Sequence, residues 1–340
     1  MKSKLRSYAI TAAKIAFAGG LIFWIFKRGG IDWNALKGVL APIPFLGLGV
    51  LSILGVLVAN LRWQVLLRGQ SFDVGFRDTF PLTLIGMFFN YAMPGSVGGD
   101  LVKGYYLARD FSGPHATNQN SNQTTNQVKV AAGVSVFMDR LIGFFVMMLS
   151  ASLAIIAFYD RLKHDSRLLA IGTGTLLITF GFFVVLAFAL SRRLQRPLRF
   201  FAQFSQKLPG HAVLENIYRA MHSYRYRPAD VFLAMGLSMI NQVLIIAFFW
   251  FTAQIIGETQ IPLSTFWFCV PIGLVVQAVP LAPAGVGVGQ AAFFFLFQAT
   301  LQSSVQAGTI GITLLQGFQF LMGLFGAALY LKRGPIEISQ

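Results

Sequence analysis

The sequence predicts an all-α polytopic membrane protein with about six full transmembrane helices and two oppositely oriented re-entrant hairpins. Its 340 residues are 55% hydrophobic and only 11% charged, and they include 34 phenylalanines. This composition is too apolar for a soluble protein of this size. Two of the apolar regions are interrupted by proline and glycine, which favours hairpins there. No long polar stretch remains, so we expect a single transmembrane domain over residues 1–340.

Six apolar stretches have the length of about 20 residues that a helix needs to cross a bilayer. They are residues 8–26, 43–61, 129–158, 168–190, 231–256 and 308–331. The first stretch follows basic residues, as a signal peptide would. It is nevertheless long enough to span, and no small-residue cleavage site follows it, so we interpret it as a retained first helix.

Two further apolar regions, about 79–108 and 263–301, contain the interruptions. The first interruption includes Pro94, and the second includes Pro283. Proline removes a backbone donor, and in a bilayer such broken backbone is tolerated only where it is buried in protein or lines a wet cavity. Two breaks in corresponding places point to a transport site built from discontinuous helices.

The basic residues predict the orientation of the chain. The formal net charge is +15, and most lysines and arginines lie in the connections. The positive-inside rule places both termini, the connection at 62–78 with Arg62, and the basic interfacial segment at about 191–230 in the cytoplasm. The first hairpin then enters from the cytoplasm and the second from outside. Because orientation and anionic lipids explain the charge, no nucleic-acid partner is expected.

Asp139 and Arg140 lie inside the predicted span 129–158. Ionisable residues in a span are costly, and they are candidates for function by default. Adjacent residues on a helix point about 100° apart, so each needs a partner elsewhere. Asp100 and Lys103 are the candidates, because they share one face of a helix that starts after Gly99. An ion-pair network that only fixes the hairpin is the alternative.

Glycines and amides supply the remaining polar groups. The stretch at 95–99 leaves backbone amides free near a helix N-terminus, which suits a phosphate, but its glycines equally suit tight helix packing. Uncharged polar side chains at membrane depth could line a headgroup path or bond neighbouring helices. They are Asn241, Gln242, Gln277, Gln290, Gln316 and Gln319. The histidines have no ligand spacing, so no metal site is expected, and no cofactor is expected.

Three motifs in order resemble those of a known family. They are Asn90 through Lys103, the pair Asp139-Arg140, and Pro280 through Gln290. The family is the lysylphosphatidylglycerol synthase transmembrane region, a group of flippase-like membrane proteins that includes the membrane half of the multiple peptide resistance factor. The resemblance covers nearly the whole chain, but it does not include the soluble aminoacyl-transferase domain. It therefore implies lipid handling without lysyl transfer.

The chain departs from the family pattern at several positions. Ala284 stands where the second glycine is usual, and Gln290 stands where a glutamate is common. Ser96 and Gly289 replace common basic residues. A mechanism that needs a carboxylate at position 290 is therefore in doubt.

The expected function is that of a lipid flippase or transporter of the bacterial inner membrane, not an enzyme. It would move a phospholipid, aminoacyl-phospholipid, glycolipid or isoprenoid-linked lipid, with an anionic or phosphate-containing headgroup expected, and a homo-oligomer is compatible with the sequence. The alternatives are a membrane transferase with Asp32 as its base, or a non-catalytic scaffold of an envelope-biosynthesis complex. No catalytic residue is assigned. The candidate substrate-binding or gating residues are Asn90, Pro94, Gly95, Gly98, Gly99, Asp100, Lys103, Asp139, Arg140, Pro280, Pro283, Gly285, Gly287 and Gln290.

Overall fold

The computed structural model describes most of the chain. The described residues are 37–93, 98–112, 125–157, 165–190, 223–279, 281–301 and 305–333, with Gly20, Lys27, Tyr159 and Ser303. Their regular structure is helical, and no strand occurs among them. The nine long α-helices of this part are α1 (Pro42–Gly69), α2 (Phe76–Ala92), α3 (Gly98–Ser112), α4 (Thr125–Ala157), α5 (Ser166–Leu190), α6 (Pro228–Ile255), α7 (Leu263–Ala278), α8 (Val288–Leu301) and α9 (Ala307–Arg333).

The helices confirm the predicted class of an all-α polytopic membrane protein. Six described segments are long and apolar enough to cross a membrane, and five of them coincide with predicted spans. They are Pro42–Gly69, Asn126–Ala157, Ser166–Val184, Pro228–Ile255 and Ala307–Arg333. The predicted span at 8–26 and the interfacial segment, apart from its end at 223–230, lie outside the described residues.

The sixth such segment, Pro283–Leu301, is the second arm of the second hairpin. It reaches this length only because a 3₁₀ turn, Pro283–Gly285, precedes α8. α8 itself has 14 residues. At about 1.5 Å per residue it is roughly 21 Å long, which is shorter than the ~30 Å hydrocarbon core.

The first hairpin, formed by α2 and α3, packs along the C-terminal half of α9. Near the middle of α2, a Cβ atom at Gly326 of α9 would overlap the carbonyl oxygen of Leu84. At the end of α2, the hydroxyl of Tyr91 donates a hydrogen bond to the carbonyl of Gln316, at 2.8 Å. The tip of this hairpin therefore reaches the middle of α9.

The second hairpin, formed by α7 and α8, packs along the N-terminal half of α9. The ring of Phe297, near the end of α8, covers Gly308, where a Cβ atom would lie 2.7 Å from it. Near the start of α8, a Cβ atom at Gly289 would contact Ile312 at 3.2 Å. The two hairpins thus approach from opposite ends of α9, in agreement with the predicted opposite orientation, and their tips meet near Gln316.

Candidate functional site

A cavity of about 340 Å³ lies where the two hairpin tips meet the long helices. α1, α2, α4, α6 and α7 line it, together with Asp100 at the start of α3, Ala284 before α8 and Gln319 of α9. Its charged lining consists of Arg62, Asp100, Asp139 and Arg140. These residues come from three helices, so the cavity is a product of tertiary packing.

Arg62 and Asp139 form a two-pronged ion pair across this cavity. The Nε of Arg62 donates to Oδ1 of Asp139 at 2.7 Å, and Nη2 donates to Oδ2 at 3.0 Å. The remaining Nη1 donates to the hydroxyl of Ser238 at 3.2 Å. Both charged side chains are 12% exposed. A planar guanidinium suits this bidentate geometry, which gives both energy and orientation.

The position of Arg62 differs from the prediction, which put it in a cytoplasmic connection after the second span. α1 continues to Gly69, so Arg62 lies within the helix and not in a cytoplasmic connection. The signal that could have found it is the apolar run that follows, because Trp63, Val65, Leu66 and Leu67 are all buried. Consequently Asp139 pairs with Arg62 rather than with Lys103.

Arg140, the next residue of α4, pairs with Asp100 at the start of α3. Because neighbours on a helix point about 100° apart, α4 directs Asp139 toward α1 and Arg140 toward the first hairpin. The predicted contact between Asp100 and Arg140 is therefore present. The acidic group also lies in the first turn of α3, where the helix dipole favours a negative charge.

Lys103 lies beside the cavity, one turn after Asp100 on α3. Its ammonium is 4.1 Å from the centroid of the Trp63 ring, which is a cation–π contact. Its aliphatic chain crosses Gly86, where a Cβ atom would lie 2.8 Å from Cδ. Glycine at position 86 thus leaves room for Lys103 to reach Trp63.

The glycines at the tip of the first hairpin serve close packing. A Cβ atom at Gly99 would lie 1.9 Å from the carbonyl oxygen of Gly86. The backbone N–H of Gly99 donates to Oδ1 of Asn90 at 3.0 Å, so this amide of the predicted anion site already has a partner. Gly98 is also buried. Pro94 and Gly95 lie outside the described residues, and phosphate binding there stays a prediction.

The tip of the second hairpin is a turn with three left-handed backbone positions within four residues. Ala284 has φ 49° and ψ 15°, and Gly285 and Gly287 have φ of 68° and 82°. A Cβ atom at Gly285 would lie 2.3 Å from the carbonyl oxygen of Gln277. Ala284 therefore carries strain of about 1–2 kcal/mol at a position where glycine is usual in the family it resembles. Pro283 begins the turn, and Pro280 lies outside the described residues.

Gln290 closes this turn from the first turn of α8. Its Oε1 accepts from the N–H of Gly287 at 2.7 Å, and its Nε2 donates to Oε1 of Gln316 at 2.8 Å. A glutamine side chain that binds a backbone donor just before the helix is half of a capping box. The amide donates as well as accepts, so it links the helix start to α9, which an ionised carboxylate at position 290 would not do.

Two amide atoms of residues that line the cavity are buried and lack partners among the described residues. Gln242 is 1% exposed, and its Nε2 forms no hydrogen bond to the described residues. Oε1 of Gln277 is also buried without a partner, while Nε2 of the same side chain donates to the carbonyl of Ala284 at 3.3 Å. Both residues line the cavity. A buried polar atom without a partner is costly, so these two atoms lower the stability of this part of the fold.

Together the fold and this site define a multi-pass membrane protein with a polar, charge-paired cavity between two opposed hairpins. The chain belongs to the Lysylphosphatidylglycerol synthase TM region family, whose pattern matches residues 11–326. It is also similar to a UPF0104 membrane protein of Methanothermobacter thermautotrophicus, with 36% identity over 69 residues. That match covers 20% of this chain and 20% of the relative, so the chain matches about a fifth of that relative's length. No solved structure matches the chain.

Proposed function

We propose that this protein is a lipid flippase or transporter of the bacterial inner membrane, with both termini in the cytoplasm. It moves a lipid with a polar headgroup across the bilayer while the tails stay in hydrocarbon. The observation that carries this proposal is the polar cavity of about 340 Å³ at the meeting point of the two hairpin tips. Family membership supports a role in lipid handling.

The physical reason is the cost of taking a headgroup through hydrocarbon. Burying an unsatisfied polar group costs roughly 2–7 kcal/mol, and a charge costs more. The cavity offers side chains that replace the water of hydration, held in place by two ion pairs. The hairpin tips approach it from opposite ends of α9, as discontinuous helices do around the central site of many transporters. Movement in this scheme is downhill or coupled to an ion gradient.

The test is lipid movement in liposomes that contain the purified protein. Vesicles hold a phospholipid with a fluorophore on its tail, and dithionite added outside bleaches the outer leaflet. We expect the protein to move the inner-leaflet lipid outward at least tenfold faster than empty vesicles do. Movement at the rate of empty vesicles, with phospholipid, glycolipid and isoprenoid phosphate alike, would refute the proposal.

A matched pair of substitutions tests whether the lipid crosses through the cavity. Ala59 lines the cavity, whereas Ala170 is exposed on α5. Ala59→Phe fills the polar space and is expected to lower the rate at least tenfold, whereas Ala170→Phe leaves it unchanged. Equal rates for both variants would mean that lipids cross elsewhere.

A further inference from the structure

We infer that a small pocket beside the polar cavity binds the chain carbons that adjoin the headgroup of the transported lipid. The pocket has a volume of about 110 Å³ and lies between α1, α6 and α9. This inference rests on the proposed function and assigns a second site to the apolar end of the same lipid. Three features carry it: an internal repeat of the fold, the loss of charge in one of the repeated units, and the wall that the two sites share.

Eight of the nine long α-helices form two similar units, each with a long helix, a hairpin and a second long helix. The first unit is α1 to α4, and the second is α6 to α9. The leading helices, α1 and α6, both have 28 residues and begin with proline. They cross at Gly55, where a Cβ atom would lie 3.2 Å from Oδ1 of Asn241, and these two residues occupy the same position in their helices. Because the hairpins approach from opposite ends of α9, the units form an inverted repeat, as in many transporters.

Contacts of the first hairpin recur at equivalent positions of the second. Lys103 of α3 passes a glycine of α2 and reaches the ring of Trp63, as described above. Phe293 of α8 likewise covers Gly273 of α7, where a Cβ atom would lie 2.6 Å from the ring. Phe293 then stacks on Phe249 of α6, with ring centroids 4.8 Å apart. The cation–π contact of the first unit thus corresponds to a stack of two phenylalanines in the second.

The contacts between each hairpin and the last helix of its unit also correspond. Asp100 of α3 binds Arg140 of α4. Gln290 of α8 binds Gln316 of α9, with 2.8 Å between the two amides. On both hairpins this residue lies three positions before the side chain that covers the glycine. Two independent sets of contacts therefore give the same register between the units.

In this register the central ion pair has an apolar counterpart. Phe248 of α6 is equivalent to Arg62, and Leu315 of α9 is equivalent to Asp139, since each directly precedes a residue already matched. Both apolar side chains are buried and line the small pocket. Ser52, which is equivalent to the serine that Arg62 binds, lines it as well. The small pocket is therefore the repeat-related equivalent of the charged end of the polar cavity, with hydrocarbon in place of the ion pair.

The polarity and position of the small pocket suit a hydrocarbon chain. None of its eleven lining residues is charged, and most are apolar. Four of them also line the polar cavity, namely Val56, Ala59, Asn241 and Gln319. Two adjoining sites of opposite polarity match the two ends of an amphiphile. When the headgroup occupies the polar cavity, the carbons next to it avoid water by entering the small pocket.

The size of the small pocket limits what it holds. Its volume of about 110 Å³ is several times the ~30 Å³ of one water molecule in the liquid. It therefore has room for a few chain carbons, and the remainder of the tail stays in the bilayer.

Filling the small pocket tests the assignment in the proteoliposome assay. Gly55 lines this pocket but not the polar cavity. Gly55→Leu is expected to lower the movement of the lipid that the wild type moves at least tenfold. Gly47→Leu is the matched control on α1 and should leave the rate unchanged, because Gly47 is exposed and a Cβ atom there meets no atom within 4 Å. Equal rates for the two folded variants would overturn the inference while the proposed function stands.

Photolabelling in nanodiscs gives a second readout that does not require transport. Phospholipid and glycolipid probes carry a diazirine either beside the ester carbonyl or at the end of the tail. Phe248 and Leu315 are only 1% and 8% or less exposed, respectively, so bulk lipid does not reach them. We expect the probe with the diazirine near the headgroup to label them at least fivefold more than the other probe does. Gly55→Leu should abolish this label, whereas exposed Phe232 should be labelled in both proteins.

The two readouts separate the inference from the proposed function. If the wild type moves no lipid, the proposed function fails, and the photolabel alone decides the inference. Absence of label from Phe248 and Leu315 in the wild type, with both headgroup classes, would overturn it.

Discussion

At the scale of residues, the centre of the molecule is held by the bidentate pair of Arg62 and Asp139. A buried pair of this kind adds little net stability compared with apolar residues, because two charges have lost their water. Replacing only one member of the pair is strongly destabilising, since the remaining charge is then buried without a counter-charge. The pair therefore fixes geometry more than it stabilises the fold.

Asp139→Asn is accordingly expected to lower the free energy of unfolding by about 3–5 kcal/mol, because the guanidinium of Arg62 loses its counter-charge. The measurement is unfolding in mixed micelles followed by circular dichroism. Asp230→Asn is the control, because its pair with Arg227 has an exposed partner and a 4.0 Å separation, and such pairs contribute about 1 kcal/mol or less. Similar losses in the two variants would contradict this view of the central pair.

Much of the site could be predicted from residues that stand out in the sequence, whereas the remaining features depend on which residues the fold brings into contact. Asp139, Arg140 and Asp100 stand out in the sequence because charge is rare in apolar runs. Arg62 stands out less, because it follows a stretch that is already long enough to span, and only the short apolar run after it indicates that the helix continues. Whether the amide atoms of Gln242 and Gln277 find partners is decided only when distant helices pack.

At the scale of elements, the first hairpin depends on a contact between two backbones. Gly99 of α3 lies directly on the carbonyl of Gly86 of α2. Glycine is required at both positions because any side chain would separate the helices and move Asp100 away from Arg140. The sequence is compatible with two roles for these glycines, packing and anion binding, because small residues serve either purpose. The close approach of Gly99 to Gly86 supports the packing role.

Gly99→Ala is expected to destabilise the fold by about 3 kcal/mol, because the new methyl group overlaps a backbone carbonyl that has no rotamer to change. Gly104→Ala, one turn and a half further along α3, is the control. Its Cβ atom would meet only Val136, at 3.9 Å, and alanine favours the helix by about 1 kcal/mol. Thermal unfolding of both purified variants measures the difference, and equal unfolding temperatures would argue against a backbone contact at Gly99.

The length of the apolar stretches predicted the helices, but it did not predict where the helices end or how the hairpin tips are built. The left-handed conformation of Ala284 is a case in point, because alanine gives no sign in a sequence that it will adopt it. Gln290 likewise becomes a capping residue only once α8 begins beside Gln316 of α9.

At the scale of the whole molecule, the orientation in the membrane remains a prediction from charge. Arg227 precedes α6 and Gln260 follows it, so the two lie at opposite ends of one span. The basic connection before Arg227 places that end in the cytoplasm by the positive-inside rule.

Single-cysteine labelling tests this orientation. In a Cys269→Ala background, Gln260→Cys should react with a membrane-impermeant maleimide added to intact spheroplasts. Arg227→Cys should react only after the membrane is permeabilised. Cys269 is fully buried, so the parent protein, with Cys269 as its only cysteine, should stay unlabelled under both conditions. The reverse pattern of labelling would invert the whole topology, including the sides from which the hairpins enter.

The adjacency of Asp139 and Arg140 has a consequence for how α4 settles among its neighbours. Lipid alone does not select which face of an apolar helix packs against its neighbours, so apolar residues by themselves would allow α4 several rotations. A slip by a single residue one way would turn Arg140 toward Arg62, and a slip the other way would turn Asp139 toward Asp100. Like charges would then face each other where water cannot screen them. These two adjacent residues of opposite charge thereby fix the rotation and the register of α4 among its neighbours.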